Sequence, residues 1–563
     1  MGLAMFLITL VVETIINGLL LIRNAVIRLR PAPEFVVVTV RGPLPERRPA
    51  PPGRLRRWLG RAWVTPPPES LEEWRERLRL LADDRRVRGI VLKLGDLHAG
   101  LASLEGLRRA LLSFRASGKR LIAYLATCDL PGYYLISAAD TVVAPESAEL
   151  ALHGLRSETT FLRAALDRLG IRAQFSHIAE YKTATHRFLY PTMTPPQREM
   201  VDAVLGTTFA HLIAVVAEGR GLAETSVEEA IDMGLMSAAE AQGRHLIDVV
   251  AFEDDLPHML AHDGRPARLV PWPVASRRVR VPVRWPSRQG GAIGVVQVLG
   301  AIVPGESRDL PLPLPMFGQQ LTGHETVGRA LRAAERAQAV KAVILHVESG
   351  GGSAVASDLI WREVTRVQQV KPVVVFMGNV AGSGGYYVGC GARHIVCGET
   401  TLTGSIGVVA GKFSLRGLLE KSGARPELLT RGASADMPSA FTEFSEPQQA
   451  ALQRWMEDIY RRFKARVAAG RKKTPEEVEA VARGRVWAGR DAAARGLVDE
   501  LGDFETAVRK AKQLAGIPIE ADVPVLTIRA PRASSVPAAS PAAWAEALRA
   551  AGSLLREHAW LVI

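Results

Sequence analysis

The stretch Gly378-Asn-Val-Ala-Gly-Ser383-Gly-Gly-Tyr-Tyr387 directly follows an apolar run, residues 372–377. The run predicts a buried strand, and the small residues after it predict a turn into a helix that ends near Cys390. This order places the Ser383 hydroxyl at a helix N-terminus, where unpaired N–H groups and the positive end of the helix dipole favour negative charge. Ser383 is therefore predicted to be either a catalytic nucleophile or an ordinary helix N-cap.

The same pattern occurs twice in the chain, at a constant offset of 253 positions. The matching segments are 87–94 with 340–347, 131–134 with 384–387, Gly154 with Gly407, and 170–172 with 423–425. Repeats of this kind share a scaffold, so positions that differ between the copies carry something the fold does not require. Copy one has Leu130 where copy two has Ser383. This difference favours the catalytic interpretation over the capping one.

Each copy alternates apolar strands with helical stretches, which predicts an α/β fold with a parallel sheet covered by helices. Residues 35–40 and 293–298 are predicted to be equivalent strands. The predicted domains are an N-terminal anchor (1–30), a first repeat (31–263), a Pro- and Arg-rich linker (264–291), a second repeat (292–515) and a tail (516–563). The tail contains an Ala/Pro/Ser-rich stretch, 530–541, predicted to be disordered, and a predicted amphipathic helix around 544–555.

Composition limits the classes of function. With 563 residues and 47% hydrophobic content, the chain is long enough for two or three domains with full cores. Its net charge of +13 is spread widely without interleaved aromatics, so the sequence indicates contact with anionic lipid and no nucleic-acid partner. Three cysteines are too few for a disulfide framework and are predicted to be buried thiols. The sequence has no metal-ligand or nucleotide-loop pattern, so no cofactor is expected.

The N-terminus is apolar from residue 1 to residue 22 and is long enough to span a bilayer. Glu13 would be costly at the membrane centre, so a helix lying in the interface remains the alternative. Arg23, Arg28 and Arg30 follow the apolar stretch and, by the positive-inside rule, favour a cytoplasmic body. A cleaved signal peptide fits less well because no basic region precedes the stretch.

Copy two resembles the signal peptide peptidase A (protease IV) family. The motifs that carry the resemblance are Ser349-Gly-Gly-Gly-Ser353, Ala381-Gly-Ser-Gly-Gly-Tyr-Tyr387, Leu402-Thr-Gly-Ser-Ile-Gly407, Arg485-Val-Trp-Ala-Gly-Arg-Asp-Ala and Gly496-Leu-Val-Asp-Glu-Leu-Gly502. Two tandem copies with an N-terminal anchor point to the long, two-domain form of the family. The resemblance covers residues 35 to 515 and implies a tandem duplication of a ClpP/crotonase-like domain built from repeated ββα units.

The resemblance also implies a function and a location. It implies a membrane-anchored serine endopeptidase that degrades apolar peptides, such as released signal peptides, and assembles as a ring-like homotetramer. The catalytic domains would lie on the periplasmic face of a Gram-negative inner membrane. The arginines after the anchor argue against this side, but long domains translocate largely regardless of flanking charge.

Members of this family are serine–lysine peptidases, and their general base lies in the first copy. The segment Glu180-Tyr-Lys-Thr-Ala184 matches that pattern and identifies Lys182 as the base. The equivalent position in copy two is Ala435, so the two catalytic groups are divided between the copies. Burial would have to lower the pKa of this lysine before it could accept a proton. The alternatives are a solvated surface lysine and a Ser–His pair with His177 or His186.

The remaining site residues also come from the resemblance. It implies an oxyanion hole made by the amides of Gly384 and of a loop glycine. The residue that best matches this loop glycine is Gly351. This chain has Gly350 where the family has proline, which leaves the loop donor open. Ser405 matches a serine that hydrogen-bonds the base, although a turn-stabilising hydroxyl is an equal alternative. Two further classes of function are a crotonase-type acyl-CoA enzyme on the same fold and a non-catalytic membrane scaffold.

Overall fold

The computed structural model describes residues 2–28, 33–49, 67–282, 291–314 and 318–530. The chain forms two compact units, which we call unit 1 (Met1–Leu155 with Phe209–Gly290) and unit 2 (Arg156–Thr208 with Gly291–Ile563). The predicted amphipathic helix and nearly all of the predicted disordered stretch lie outside the described residues.

Unit 1 contains a six-stranded sheet in which every neighbouring pair is parallel. In spatial order its strands are β10 (Leu269–Pro271), β1 (Phe35–Gly42), β2 (Gly89–Leu97), β3 (Arg120–Tyr124), β5 (Thr141–Ala144) and β9 (Val249–Val250). A small sheet adds β4 (Thr127–Asp129), β6 (Glu149–Ala151) and β8 (Leu235–Ser237). Val36, Ile90 and Leu121 are fully buried, as expected for parallel strands covered on both faces.

Two described helices of unit 1 begin with a complete capping box, in which Ser70 and Glu73, or Ser237 and Glu240, cap each other across the first turn. The helices are α1 (Gly2–Arg28), α2 (Leu71–Asp83), α3 (Leu101–Ala116), α4 (Leu130–Ile136), α8 (Glu224–Met233), α9 (Ala238–Gly243), α10 (Leu256–Met259) and α11 (Trp272–Ala275). A 3₁₀ turn, Glu253–Asp255, precedes α10.

Unit 2 repeats the parallel arrangement. Its parallel strands are, in spatial order, β22 (Val525–Thr527), β11 (Ala292–Leu299), β15 (Val340–Ser349), β16 (Val373–Gly382), β17 (His394–Cys397) and β21 (Glu500–Leu501). The end of β16 also pairs with β18 (Leu402–Gly404), which pairs antiparallel with β20 (Val486–Ala488). A separate sheet holds β12 (Ala301–Val303), β14 (Gly318–Gly323) and β13 (Arg308–Leu314).

The helices of unit 2 lie between and after these strands. They are α5 (Arg163–Leu169), α6 (His186–Leu189), α12 (His324–Arg336), α13 (Ala354–Val367), α14 (Gly384–Gly389), α15 (Arg416–Ser422), α16 (Glu446–Arg471), α17 (Pro475–Val481), α18 (Gly489–Ala494) and α19 (Phe504–Leu514). The long helix α7 (Pro195–Arg220) begins in unit 2 and ends in unit 1.

The two strand orders are equivalent, and they confirm the predicted α/β class and tandem duplication. β10-β1-β2-β3-β5-β9 in unit 1 corresponds to β22-β11-β15-β16-β17-β21 in unit 2. At one edge of each sheet, the outermost strand was not predicted: β10 falls in the predicted linker, and β22 falls in the predicted tail. The cysteines Cys128, Cys390 and Cys397 are free and buried, as predicted.

The compact units also depart from the repeat boundaries. Residues 156–208 belong to copy one in sequence but to unit 2 in space. Within this segment, β7 (Arg172–His177) pairs antiparallel with β19 (Val409–Ser414) of copy two. Strand pairing with a distant part of the chain is invisible to local sequence patterns, and here it carries a copy-one segment into the second unit.

Two helices are relevant to the predicted membrane anchor. Of the described residues, only Pro195–Arg220 is long and apolar enough by composition to cross a bilayer, and 39% of its apolar window is buried. The N-terminal helix contributes a shorter apolar stretch, Thr14–Ile27. A membrane-spanning role for the N-terminal helix therefore stays a prediction.

Candidate active site

Ser383 joins the end of β16 to the start of α14 in a strained turn. Its φ of 51° and ψ of −119° lie outside the regions that a residue with a side chain prefers. The Ser383 amide donates to the Gly404 carbonyl at 2.9 Å, which fixes the turn. Although Ser383 occupies the N-cap position, its side chain makes no capping hydrogen bond. The capping interpretation therefore does not explain this serine.

The Lys182 ammonium lies directly beside the Ser383 hydroxyl. Lys182 Nζ donates to Ser383 Oγ at 2.8 Å and to Ser405 Oγ at 3.0 Å. A third hydrogen bond runs from Nζ to the Ser405 carbonyl at 3.1 Å. The nucleophile and base predicted from the sequence are thus brought into contact, and both belong to unit 2.

Burial changes the ionisation of Lys182. Its side chain is 2% exposed, and Ser383 is 4% exposed. Removal from water disfavours the charged form and lowers the pKa of Lys182 from 10.5 to about 7. The surface-lysine alternative is therefore excluded, and a buried lysine with a lowered pKa can lose its proton near neutral pH.

A close backbone contact fixes the lysine segment. The Tyr181 amide donates to the Arg483 carbonyl at 3.2 Å, and Arg483 pairs with Glu180 at 2.7 Å. A Cβ at Gly484 would lie 2.5 Å from the Lys182 Cβ, so only glycine fits there. This contact was not predicted from the sequence. The available signal was Gly484, which directly precedes the Arg485-Val-Trp-Ala motif, because a glycine often marks a close backbone approach.

The glycine loop after β15 lies against the start of α14. A Cβ at Gly351, whose φ is 117°, would lie 2.8 Å from the Ser383 Cβ and 2.9 Å from the Gly384 nitrogen. The Gly351 amide, however, donates to Ser349 Oγ at 3.1 Å. Within the described part of the chain, the amides of Gly352 and Gly384 donate no hydrogen bond. The predicted donor Gly351 is therefore occupied, whereas the amides of Gly350 and Gly352 are not, and of these two the Gly352 nitrogen lies beside Gly384.

Glu348 supports the strand that leads to the nucleophile. Between the pairs Val347↔Met377 and Ser349↔Ala381, β16 contains two more residues than β15. The Glu348 carboxylate accepts from the Asn379 and Val380 amides at 2.8 and 3.1 Å and so replaces the missing strand partner. Copy one has Gly95 at this position. The difference between the copies was visible in the sequence, but its structural meaning was not.

The two histidines of the Ser–His alternative make other contacts. His177 Nδ1 lies 2.8 Å from the Ala179 carbonyl, and His186 Nδ1 lies 3.3 Å from Thr194 Oγ1. Burial, together with the neighbouring His177, lowers the pKa of His186 to about 4. Neither histidine hydrogen-bonds Ser383 among the described contacts, so the geometry favours lysine as the partner of the serine.

The arrangement combines the parts needed for acyl transfer. A serine hydroxyl touches a buried amine, and two free amides, those of Gly352 and Gly384, adjoin the same turn. Such a set can form a nucleophile, stabilise a negative oxygen and return a proton. Of the five predicted site residues, only Gly351 is engaged in a way that conflicts with its predicted role.

Comparisons with known proteins agree with the motifs. Peptidase family S49 matches residues 113–264 and 365–518, one match in each copy. The chain is 31% identical over 467 residues to "Serine protease SPPA, chloroplastic" of Arabidopsis thaliana, which covers 83% of this chain and 68% of that protein. It is 32% identical over 455 residues to "Protease 4" of Haemophilus influenzae, covering 77% of this chain and 71% of that protein.

Two solved structures align more weakly. They are a mutant of ClpP1 from Listeria monocytogenes and a mutant of a membrane-bound stomatin-specific protease. Their TM-scores are 0.24 and 0.25 at 14% identity, and they cover 38% and 44% of this chain and 94% and 98% of their own.

The family match bears on the alternatives raised by the sequence. It does not favour an acyl-CoA enzyme of the crotonase type. One matched region contains Lys182 and the other contains Ser383. The two relatives align with 83% and 77% of this chain. The chain therefore belongs to peptidase family S49, the family to which its motifs point.

Proposed function

We propose that this chain is a serine endopeptidase in which Ser383 is the nucleophile and Lys182 is the general base. The observation that carries the proposal is the 2.8 Å contact between Lys182 Nζ and Ser383 Oγ at a buried lysine. In the reactive form the amine is neutral, and the Ser383 hydroxyl donates its proton to Nζ while Oγ attacks the scissile carbonyl. The resulting ammonium then protonates the leaving amine, and water hydrolyses the acyl-enzyme.

The developing oxyanion would be held by the amides of Gly384 and Gly352. Gly384 is the first residue of α14, so its N–H has no partner inside the helix. A Cβ at Gly384 would lie 3.2 Å from the Gly352 nitrogen, and this close approach of the two residues supports the pair as donors. Ser405 would orient the lysine through the contact at 3.0 Å. Gly351 would then shape the loop, with its own amide held by Ser349.

The proposed substrates are short apolar peptides, including cleaved signal peptides. A relative named "Putative signal peptide peptidase SppA" from Enterococcus faecium is 34% identical over 199 residues, which cover 35% of this chain and 58% of that protein. An N-terminal helix with exposed apolar side chains would keep the enzyme where such peptides accumulate. We also propose that the enzyme acts as a homo-oligomer.

Activity is expected to rise with pH around neutrality. Only the neutral form of Lys182 accepts the serine proton, and its pKa is lowered to about 7. A plot of kcat/KM against pH should therefore fall tenfold for each pH unit below that value and level off above it. A profile that is flat down to pH 5, or one that rises only near pH 10, would contradict the assignment of the base.

We propose that α1 attaches the enzyme to the inner membrane, with both units on the periplasmic side. Ile15, Leu19 and Ile22 of this helix are 58, 63 and 65% exposed, which suits contact with lipid. At its C-terminal end, Asn24 exchanges hydrogen bonds with the backbone of Val281 in unit 1.

The side of the membrane can be tested in spheroplasts. Protease added to intact spheroplasts should digest the body of the protein, and a cytoplasmic marker protein should stay intact. Protection until lysis would place the enzyme in the cytoplasm, as Arg23 and its neighbours favour. Deleting residues 1–22 should release the enzyme into the soluble fraction, where peptidase activity should persist.

A further inference from the structure

A charged cluster next to Lys182 takes no part in the chemistry proposed above. Arg485 Nη1 donates to Glu199 Oε1 at 2.5 Å, and the Tyr181 hydroxyl donates to Glu199 Oε2 at 2.8 Å. The Arg485 guanidinium also lies 4.7 Å from the centre of the Tyr181 ring. All three residues belong to unit 2. Each member of the cluster therefore contacts both of the others.

The cluster closes a ring of contacts around the general base. Tyr181 is the residue before Lys182, so its side chain ties the lysine segment to Glu199. On the other side of the ring, the Arg485 carbonyl accepts from the Ser405 amide at 2.7 Å. Ser405 Oγ in turn accepts from Lys182 Nζ at 3.0 Å. Arg485 therefore contacts the segment that carries the base with its side chain, and the residue that holds the amine with its carbonyl.

The lysine segment needs support because it has no regular structure of its own. Residues 178–185, between β7 and α6, lie outside any helix or strand. Segments of this kind move more than the elements they connect. A base must stay within hydrogen-bond reach of the hydroxyl that it deprotonates, and a misplacement of ~1 Å can cost about 100-fold in rate. Contacts that fix this segment therefore bear directly on the rate of the reaction.

The internal repeat shows that the scaffold does not require the cluster. Helix α7 matches α16 over its whole length at an offset of 251, and β8 matches β20 at the same offset. The equivalent residues are Ala450 for Glu199, Gly234 for Arg485 and, at the offset of 253, Ser434 for Tyr181. Ala435 stands where Lys182 would be expected. The counterpart set thus lacks the lysine and all three side chains together, so the cluster accompanies the base.

We propose that Arg485, Glu199 and Tyr181 are positioning residues, which together hold the segment of Lys182 against the catalytic serine. The inference rests on the proposed function, because it takes Lys182 as the general base. Among the described contacts, none of the three side chains hydrogen-bonds Ser383. They act on the reaction through the lysine.

The cluster fixes the lysine without placing an unpaired charge beside it. The Arg485 guanidinium pairs with the Glu199 carboxylate, and Arg483 pairs with Glu180 at 2.7 Å. The lowered pKa of Lys182 has burial as its cause. Loosening the cluster would admit water to the amine, and the pKa of the lysine would then rise towards its ordinary value.

The first test compares two arginines that stack on the same tryptophan. Arg485 and Arg495 lie 4.6 and 3.9 Å from the centre of the Trp487 ring. Among its described hydrogen bonds and ion pairs, Arg495 contacts only Asp491. Arg485→Ala should lower kcat for a reporter peptide about 100-fold, the cost of a misplaced base, with KM unchanged. Arg495→Ala is the matched control and should leave both constants unchanged.

The pH profile separates positioning from a general loss of stability. In Arg485→Ala the midpoint of kcat/KM against pH should move above the value of about 7 expected for the unaltered enzyme, because water reaches the amine of Lys182. Arg495→Ala should keep the midpoint. A side chain that only stabilised the fold would lower the Tm when removed and would leave the midpoint where it is.

Smaller changes test the cluster if Arg485→Ala does not fold. Tyr181→Phe removes one hydroxyl and keeps the ring that stacks on Arg485, so kcat should fall about tenfold, as for the loss of a hydrogen bond to a charged group. Glu199→Ala should lower kcat further. The double variant should be no slower than Glu199→Ala alone, because the hydroxyl acts through the carboxylate.

The outcomes separate this inference from the function on which it rests. An active Lys182→Met enzyme would refute the proposed base itself. An inactive Lys182→Met enzyme, beside Tyr181→Phe and Glu199→Ala variants with the kcat and midpoint of Arg495→Ala, would overturn the positioning role alone. Slower variants with a midpoint moved to higher pH would support both.

Discussion

Replacing Ser383 with alanine is expected to reduce kcat for an apolar reporter peptide on the order of 10⁴-fold or more, with little loss of stability. The large effect follows because nucleophile and base act as one unit, so removing either removes covalent catalysis. The small effect on stability follows because the Ser383 side chain makes no capping hydrogen bond. An ordinary N-cap serine would instead cost about 1 kcal/mol of stability when changed to alanine.

The control for this variant is Ser422→Ala, which removes an exposed hydroxyl bonded only to the carbonyl of Leu419 in its own helix. Its activity should match that of the unaltered enzyme. If Ser383→Ala retained more than a few per cent of activity, Ser383 could not be the nucleophile. Thermal unfolding of both variants, followed by circular dichroism, separates lost chemistry from lost structure.

Replacing Lys182 with methionine should abolish activity as completely and at the same time stabilise the protein at acidic pH. Each pKa unit corresponds to about 1.4 kcal/mol, so the lowering of this pKa from 10.5 to about 7 implies that holding the ammonium buried costs on the order of 5 kcal/mol. Methionine has a similar length and is neutral at every pH, so it removes that cost. The expected signature is loss of kcat together with a higher Tm.

The gain should depend on pH in a defined direction. Below pH 7 Lys182 is protonated in both the folded and unfolded chains, and the full cost is present. Between about pH 7 and 10.5 the unfolded chain binds one more proton than the folded chain, so the stability of the unaltered protein rises with pH. The difference in Tm between Lys182→Met and the unaltered protein should therefore be largest near pH 6 and shrink towards pH 10.

A matched control is Lys182→Arg, which keeps a charge that cannot be removed near neutral pH. This variant should be inactive and less stable than the methionine variant at every pH. His177→Ala and His186→Ala should retain activity, because neither ring hydrogen-bonds Ser383 among the described contacts. An inactive histidine variant beside an active Lys182→Met would favour a Ser–His enzyme instead.

The sequence was informative where the two copies could be compared with each other. The apolar strands and the turn at Ser383 follow from local patterns. Copy one has Leu130 where copy two has Ser383, and this difference indicates that the serine has a role beyond the fold. The short segment around Lys182 carries little local signal. Its assignment depended on the family resemblance, and its contact with Ser383 depends on packing between residues 201 positions apart.

The features that could not be predicted from the sequence depend on contacts between residues far apart in the chain. The edge strands β10 and β22 are three-residue segments in Pro- and Arg-rich sequence, and only their pairing with β1 and β11 makes them strands. The choice between Gly351 and Gly352 depends on the direction of one peptide N–H, which Ser349 determines through its hydroxyl. The grouping of residues 156–208 with unit 2 likewise follows from the β7·β19 pairing.

We propose above that Ser383 is a nucleophile activated by a buried Lys182. Mass spectrometry of the intact protein after treatment with a fluorophosphonate tests it most directly. The unaltered protein should gain one adduct per chain, which peptide mapping places on Ser383, and Lys182→Met should react far more slowly. Ser383→Ala should gain none. An adduct that persists in Ser383→Ala, or that maps to another serine, would show that Ser383 is not the nucleophile.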